Sequence, residues 1–298
     1  MRYLVLLFSF LALEGFTQQK LKFVEADSLF GWTSKGTLQT NFANVGLNNW
    51  SGGGEDALSL TFDLDYEIDY YGKNLLWDTE LHLLYGMTRL GDTKDLRKTD
   101  DQFVLRSLFG DRLTQQQTLT FLVEFRTQFT RGYNYDDDAD EPTQTLVSNL
   151  LAPGYLNLNL GWTVSKKDIY SVTLSPVTGK FTFVANDSLS NAGAFGVTPG
   201  KHHRFEGGSN VNGSLSWEIM DDVTFKLAAD LFSSYKSPES IDVNLRAALR
   251  MKVNKFLTSG VSGALIYDDD VDILRDDGTT GPAVQSRYTI NVGFALSL

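Results

Sequence analysis

From Leu58 to Tyr70 the chain alternates without a break. Leu58, Leu60, Phe62, Leu64, Tyr66, Ile68 and Tyr70 fall on one side, and Ser59, Thr61, Asp63, Asp65, Glu67 and Asp69 on the other. A period of two with one apolar and one charged face predicts a β-strand. Its length exceeds the roughly 5–6 residues of an ordinary soluble strand and matches the ~9–11 tilted residues that cross a bilayer. The same pattern predicts about twelve strands, near 34–46, 56–70, 74–89, 101–110, 117–129, 154–165, 168–176, 203–219, 222–235, 240–253, 256–267 and 286–298. An even number of antiparallel strands is what a single-chain bacterial barrel requires. The expected fold is therefore all-β, an antiparallel up-and-down transmembrane β-barrel.

The connections agree. Tight turns are expected around Gly72-Lys73, Ser165-Lys166-Lys167, Asp221-Asp222 and Asn254-Lys255, and most of the intervening links are long: Val45 to Glu55, Leu90 to Asp100, Arg131 to Pro153, Val177 to His202 and Asp268 to Gln285. Short periplasmic turns opposite long extracellular loops are how such barrels sit, with both termini on the turn side. The link Lys236 to Glu239 is short and breaks the rule. A soluble sandwich also alternates, but with shorter strands and no reason for its links to take turns. Tyr70, Trp77, Trp162, Tyr170 and Trp217 toward the turns, and Tyr85, Tyr235, Tyr267 and Tyr288 toward the loops, are placed as interfacial girdles.

Composition changes this picture little. A mean hydropathy of −0.17 does not exclude a barrel, whose lipid face is hidden by alternation. The net charge of −11 argues against nucleic acid as a partner. With no cysteine the chain has neither disulfide nor acylation site, which suits an oxidising periplasm. Met1-Arg2, the apolar stretch Leu4 to Leu13 and Gly15-Phe16-Thr17 read as a secretory signal over 1–17, followed by a lead-in over 18–30 and the barrel over 31–298. The expected location is the outer membrane after export, in contact with lipid and lipopolysaccharide. The last strand, with Tyr288, Ile290, Val292, Phe294, Leu296 and Leu298 on one face, is the kind of signal that barrel-assembly machinery reads.

Several sequence words resemble the domain-of-unknown-function 3078 family of bacterial outer-membrane proteins. They are Asn49-Trp50-Ser51-Gly52-Gly53-Gly54-Glu55, Arg97-Lys98-Thr99-Asp100-Asp101, Thr127-Gln128-Phe129 with Gly132-Tyr133, Ser175-Pro176-Val177-Thr178-Gly179-Lys180 and Gly193-Ala194-Phe195-Gly196. Asp230-Leu231-Phe232-Ser233-Ser234-Tyr235, Val253-Asn254-Lys255-Phe256-Leu257, Tyr267-Asp268-Asp269-Asp270 and Gly281-Pro282 continue the series. The resemblance implies an outer-membrane barrel and brings no established substrate, cofactor or catalytic residue.

If the apolar face meets lipid, the other face fills the lumen. That places Asp63, Asp65, Glu67 and Asp69 inward on the second strand, and Asp78, Glu80 and His82 on the third. Arg106 and Arg126 come from the fourth and fifth, Arg246 and Arg250 from the tenth, and Arg287 from the last. One wall is acidic and another basic. In a barrel of this width the two could be joined by ion pairs, giving a closed structural or interaction barrel. They could also be separated by a thin water column, giving a narrow passive channel for small polar solutes. An outer-membrane enzyme acting on lipid is the alternative. His82 with Asp78 and Glu80 could form an oriented base, but no nucleophile elbow, zinc motif or Walker loop accompanies it, so no catalytic residue, metal or cofactor is assigned. His202-His203, and the acidic loop clusters Asp136 to Glu141 and Asp268 to Asp277, are expected to be solvated, with the loops as contact points for a protein partner. The Val177 to His202 loop carries Phe181, Phe183, Val184, Leu189 and Phe195, enough apolar material to fold over or into the mouth.

Overall fold

The computed structural model describes residues 30–45, 56–91, 96–136, 143–166, 169–254, 257–269, 272–274 and 279–297. The signal and lead-in, the Gly52 to Gly54 stretch and most of the acidic loop tips lie outside these.

Twelve strands form the barrel: β1 (Gly31–Val45), β2 (Ala57–Tyr71), β3 (Leu75–Leu90), β4 (Arg97–Arg112), β5 (Gln117–Thr127), β8 (Gly154–Lys166), β9 (Tyr170–Phe183), β10 (His203–Met220), β11 (Val223–Ser234), β12 (Ile241–Lys252), β13 (Leu257–Tyr267) and β16 (Gln285–Ser297). Each pairs antiparallel with its neighbours, and β1 closes the cylinder against β16 through Thr37↔Ser297, Leu38↔Leu296 and Gln39↔Ala295. Closure removes the free edges that an open sheet would expose to lipid. The strand ends on either side of the short links, Tyr71 and Leu75, Arg112 and Gln117, Lys166 and Tyr170, Met220 and Val223, and Lys252 and Leu257, gather at one end of the barrel, the turn end, with the start of β1 and the end of β16. The loop end carries two small hairpins, β6 (Gly132–Asp136) with β7 (Thr143–Ser148) and β14 (Asp272–Leu274) with β15 (Thr280–Pro282), and the short helix α1 (Asp187–Asn191).

Burial is inverted relative to a soluble protein. Asp63 and Asp69 are only 2% and 3% exposed, whereas Phe62, Trp162 and Leu174 are 44%, 54% and 55% exposed. Charge inside and apolar surface outside is the arrangement that lipid demands. On the outer surface Tyr70, Trp32, Trp77, Phe109 and Phe121 form a continuous row near the turn end, with successive ring centroids 5.1, 5.3, 5.1 and 6.5 Å apart. Tyr70 and Trp77 belong to the expected girdle, and Trp32 joins them across the β1–β2 pairing Trp32↔Tyr70.

Strand β9 departs most from the sequence reading, running to Phe183 instead of stopping at 176. A β-bulge explains the difference. One extra residue in β9 shifts its register against both β8, between Leu160 and Trp162, and β10, between Gly208 and Asn210. The inward series Ser171, Thr173, Ser175 then resumes at Thr178 and Thr182, so a strict period of two fails there. Glycines flank the bulge on both sides by necessity. A Cβ at Gly161 would lie 2.4 Å from the Leu174 carbonyl oxygen, and one at Gly208 would lie 2.2 Å from that of Ser233. The Pro176 carbonyl at the bulge accepts the Tyr235 hydroxyl.

Phe181 and Phe183 are thus strand residues, and the remaining link does not behave as a lone flap. Val184, Leu189 and Val197 pack with Ala152 into a small core, against which Leu146, Ala194 and Phe195 lie. His202 is exposed, as expected for a rim histidine, and it also ties this loop, with Nδ1 2.8 Å from the Val184 carbonyl and Nε2 3.5 Å from Asp187. The 128–153 and 184–202 loops are therefore built on each other at the rim.

Candidate functional site

The barrel register arranges the inward charges in rows. One row runs Lys35, Glu67, Glu80, Arg106, Glu124, Asn157 across β1 to β8. Lys35 Nζ reaches Glu67 at 2.7 Å. Glu124 accepts from Arg126 Nη2 at 2.8 Å and lies 3.7 Å from Arg106 Nε. Glu124 is the residue that the sequence reading missed. It shares a face with Arg126 two positions away on β5, and it ties the arginines of β4 and β5 together.

His82 is placed inward as expected but with different partners. Its Nδ1 is 2.8 Å from Asp65 and 3.5 Å from Asp63, not against Asp78 and Glu80. Residues directly opposite across a strand pair are closer than same-face neighbours two positions along one strand, and the register is Asp65↔His82. A second row, Ser214, Ala228, Arg246, Ala264, Arg287, crosses β10 to β16, so two of the expected basic residues alternate with small ones. The Arg287 side chain lies outside the described residues. Arg250 lies within Coulombic reach of Asp63 and Asp65, so the two walls face each other electrostatically.

Toward the loop end a further charged group comes together that the early end assigned to the seventh strand concealed. Lys180 Nζ is 2.7 Å from Asp242, 3.6 Å from Asp268 and 3.9 Å from Glu206, and Arg204 holds Glu206 at 2.8 Å. Asp101 accepts from Lys98 and from the backbone N–H groups of Phe129 and Thr130 at 2.9, 2.7 and 2.8 Å, anchoring the start of the long loop. Asp268 and Asp269 are likewise tied down, contrary to the expected solvated tip. Asp269 accepts from the Ser240 and Tyr267 hydroxyls at 2.6 and 3.0 Å, and these two donors hold its carboxyl below the usual carboxylate range.

Among the described residues, three cavities in the lumen share part of their lining. The largest, about 410 Å³, is lined by Asp101, Gln285 and Ala264 near the loop end. A second, of about 270 Å³, is lined by Lys180, Asp242 and Asp268, and a third, of about 40 Å³, by Arg106, Ala228 and Asp230. Arg126 and Asn244 line all three. Toward the turn end the lumen is filled. Thr120, Thr163 and Thr173 form a chain of hydroxyl hydrogen bonds at 2.7 and 2.8 Å, and Tyr71, Leu76, Leu108 and Leu122 make an apolar cluster near the turn end. Among the described residues two groups of three side chains could hold a metal ion, Asp63 with Asp65 and His82, and Glu67 with Asp69 and Asp78.

Residues 42–133 match the family model described as Protein of unknown function (DUF3078). The match to DUF3078 runs from β1 to the start of β6, so it includes the whole acidic wall, Arg106, Glu124 and Arg126. No curated protein matches. Among solved structures, the chain is similar to the COG4313 outer membrane channel from Pseudomonas putida F1, at 12% identity and a TM-score of 0.44 over 92% of this chain and 99% of that one. It is also similar to the NanC porin, at 10% identity and a TM-score of 0.39 over 88% and 99%. A third similar structure is the translocator domain of the autotransporter NalP from Neisseria meningitidis, at 13% identity and a TM-score of 0.38 over 90% of each chain.

Proposed function

We propose that this is an exported outer-membrane barrel that acts as a narrow passive channel for small polar solutes, entered from the loop end and non-enzymatic. The observation that supports this reading is the series of cavities sharing Arg126 and Asn244, which extends from the rim residues Asp101 and Gln285 to Arg106 and Ala228 in mid-lumen. Small inward residues on β10, β11 and β13, Ser214, Ala228 and Ala264, leave this side of the lumen open. A solute there passes between the Arg106, Arg126 and Arg246 guanidiniums and the carboxylates of Glu124 and Asp230, a field that orients dipolar molecules.

The test is single-channel conductance of the refolded mature chain in a planar bilayer. Steady, ion-selective current steps support the channel, and silence from a verified folded barrel overturns it. A second reading, a closed structural or interaction barrel, is favoured by one observation, the Tyr71, Leu76, Leu108 and Leu122 cluster near the turn end. Silence would leave that reading standing, with the rim built from the 128–153 and 184–202 loops as the surface to search for partners.

A further inference from the structure

We propose that the lumen binds a small zwitterion whose charges lie at opposite ends, of which a dipeptide is the simplest, with its carboxylate on Arg126 and its ammonium on Asp230. As the solute class of the channel proposed above it rests on that reading, whereas binding itself does not require conduction. Arg126 stands on β5 and Asp230 on β11, with β8, β9 and β10 between them around the cylinder, and both line the second and third cavities. Arg126 feels the Asp230 charge, yet among the described residues its ion pair is with Glu124 and not across the gap. Each charge is braced on its own wall. Nη2 of Arg126 donates to Glu124 at 2.8 Å, which leaves other N–H groups of the guanidinium fork available to the cavity it lines. Asp230 accepts from the side-chain amides of Asn210 and Asn212 at 3.2 and 2.9 Å, neutral donors that fix the carboxylate without cancelling its charge. Opposite charges held apart across open space are complementary to a molecule that carries the same two charges in reverse order. A simple anion or cation gains at one end and is repelled at the other.

Two side-chain amides supply an independent observation. Asn157 and Asn244 line the second cavity, Asn157 directly opposite Glu124 and Asn244 directly opposite Asp230 in register. In both, Oδ1 is buried and has no hydrogen-bond partner. Buried acceptors in that state call for a donor. An ammonium at Asp230 brings three N–H groups, enough to serve that carboxylate and the adjacent Asn244 oxygen together. Asn157 stands on the wall of Glu124 and Arg126, where it can accept from the peptide N–H that precedes a terminal carboxylate. Four inter-strand steps of about 4.8 Å separate the two backbones around the cylinder, which favours ends several atoms apart over two charges on one carbon. The second cavity, about 270 Å³, has room for a dipeptide.

The experiment titrates the folded mature barrel calorimetrically, in non-ionic detergent at low salt, with glycylglycine. N-acetylglycine, which lacks the ammonium, and glycylglycinamide, which lacks the carboxylate, are the single-charge controls. The expected result is one glycylglycine per barrel, bound at least about tenfold more tightly than either control. A chain of equal length without the peptide unit, 5-aminopentanoate, should bind more weakly than glycylglycine but better than the controls. Asp230→Asn should weaken glycylglycine at least about tenfold and bring N-acetylglycine level with it, an inversion of preference that loss of structure does not produce. Should that variant not fold, Asn244→Ala decides, because its Oδ1 has no partner to lose and glycylglycine should still bind several-fold more weakly. Wild type that does not bind glycylglycine, or binds N-acetylglycine as tightly, overturns the proposal, as does an Asp230→Asn barrel that keeps the wild-type preference. Conductance is scored separately. A conducting barrel that ignores glycylglycine keeps the channel and loses this solute class, and a silent barrel that binds it loses the channel and keeps the site.

Discussion

Glu124→Gln is the substitution that bears most directly on both stability and permeation. It keeps the shape of a side chain that accepts from Arg126 at 2.8 Å and faces Arg106 at 3.7 Å, while removing its charge. The Arg126 side chain is 37% exposed, so its pair with Glu124 is water-screened and counts for under about 1 kcal/mol. Arg106 is far better buried and keeps Glu80 opposite it in register, so its loss is only partial, about 1–2 kcal/mol. The sum is about 2 kcal/mol of unfolding free energy, readable as a shift in urea midpoint at constant slope. Permeation should respond to the same change. The third cavity is bordered by Arg106, Arg126 and Arg246 as well as Glu124, and its wall becomes one charge more positive. That cavity is smaller than the ~8 Å screening length at physiological salt, so the added charge acts on any ion inside it. The reversal potential across a salt gradient should move toward anion selectivity. A stability loss below about 0.5 kcal/mol together with an unchanged reversal potential would refute both parts.

Three other substitutions probe the apolar cluster, the lipid-facing surface and the rim. Leu122→Ala, in the apolar cluster near the turn end, should cost about 2–4 kcal/mol and increase conductance; a stable variant with unchanged current would mean that the cluster neither packs nor restricts the path. Phe121→Arg, on the lipid-facing side of β5, should destabilise the barrel by about 2–4 kcal/mol in lipid vesicles but much less in detergent, and equal losses in the two media would count against a bilayer-embedded surface there. Asp269 has a carboxyl held below its ordinary range, so its contribution is present above the unfolded carboxylate value and disappears as pH falls through the lower folded value. Protection factors in the 235–240 link, corrected for the intrinsic pH dependence of exchange, should therefore fall at acid pH in wild type, whereas Asp269→Asn should already be poorly protected at neutral pH and change little on acidification.

The strands were legible because alternation is a local property, and β2, β8, β10 and β13 begin and end within a residue or so of where the pattern places them. Where alternation is interrupted, legibility ends. The extra residue near Pro176 shifts the inward phase of β9, which hid Lys180 and with it the contacts to Asp242, Asp268 and Glu206. Facing direction was equally readable, since Asp63, Asp69, Glu80, His82 and Arg106 are all buried in the lumen. Pairing was not, because it depends on register between strands distant in sequence. His82 bonding Asp65 instead of Asp78, and Glu124 joining Arg106 to Arg126, follow from cross-strand rows that no single-strand spacing reveals. The loop hairpins and α1 are short and depend on their packing neighbours, which leaves little periodic signal in the chain itself.

Strand number alone does not decide whether such a barrel conducts; the distribution of inward side-chain size does. Twelve strands enclose more room than the eight whose side chains just fill the interior, and less than the sixteen of an aqueous porin. Here that intermediate space is divided unevenly. Toward the turn end, the Thr120–Thr163–Thr173 chain of β5, β8 and β9 and the apolar cluster of Tyr71, Leu76, Leu108 and Leu122 fill the lumen. On β10 to β13 the row Ser214, Ala228, Arg246, Ala264 withdraws bulk and leaves long cationic side chains standing over gaps. On the proposed channel reading, the packed turn end stiffens the cylinder, and the row of small residues borders the space in which charge would select what enters. If the barrel conducts as proposed, substitutions in the Thr120–Thr163–Thr173 chain should register as stability, and substitutions along the Ser214 to Ala264 row as permeation, because the first lie in packed lumen and the second border the open space.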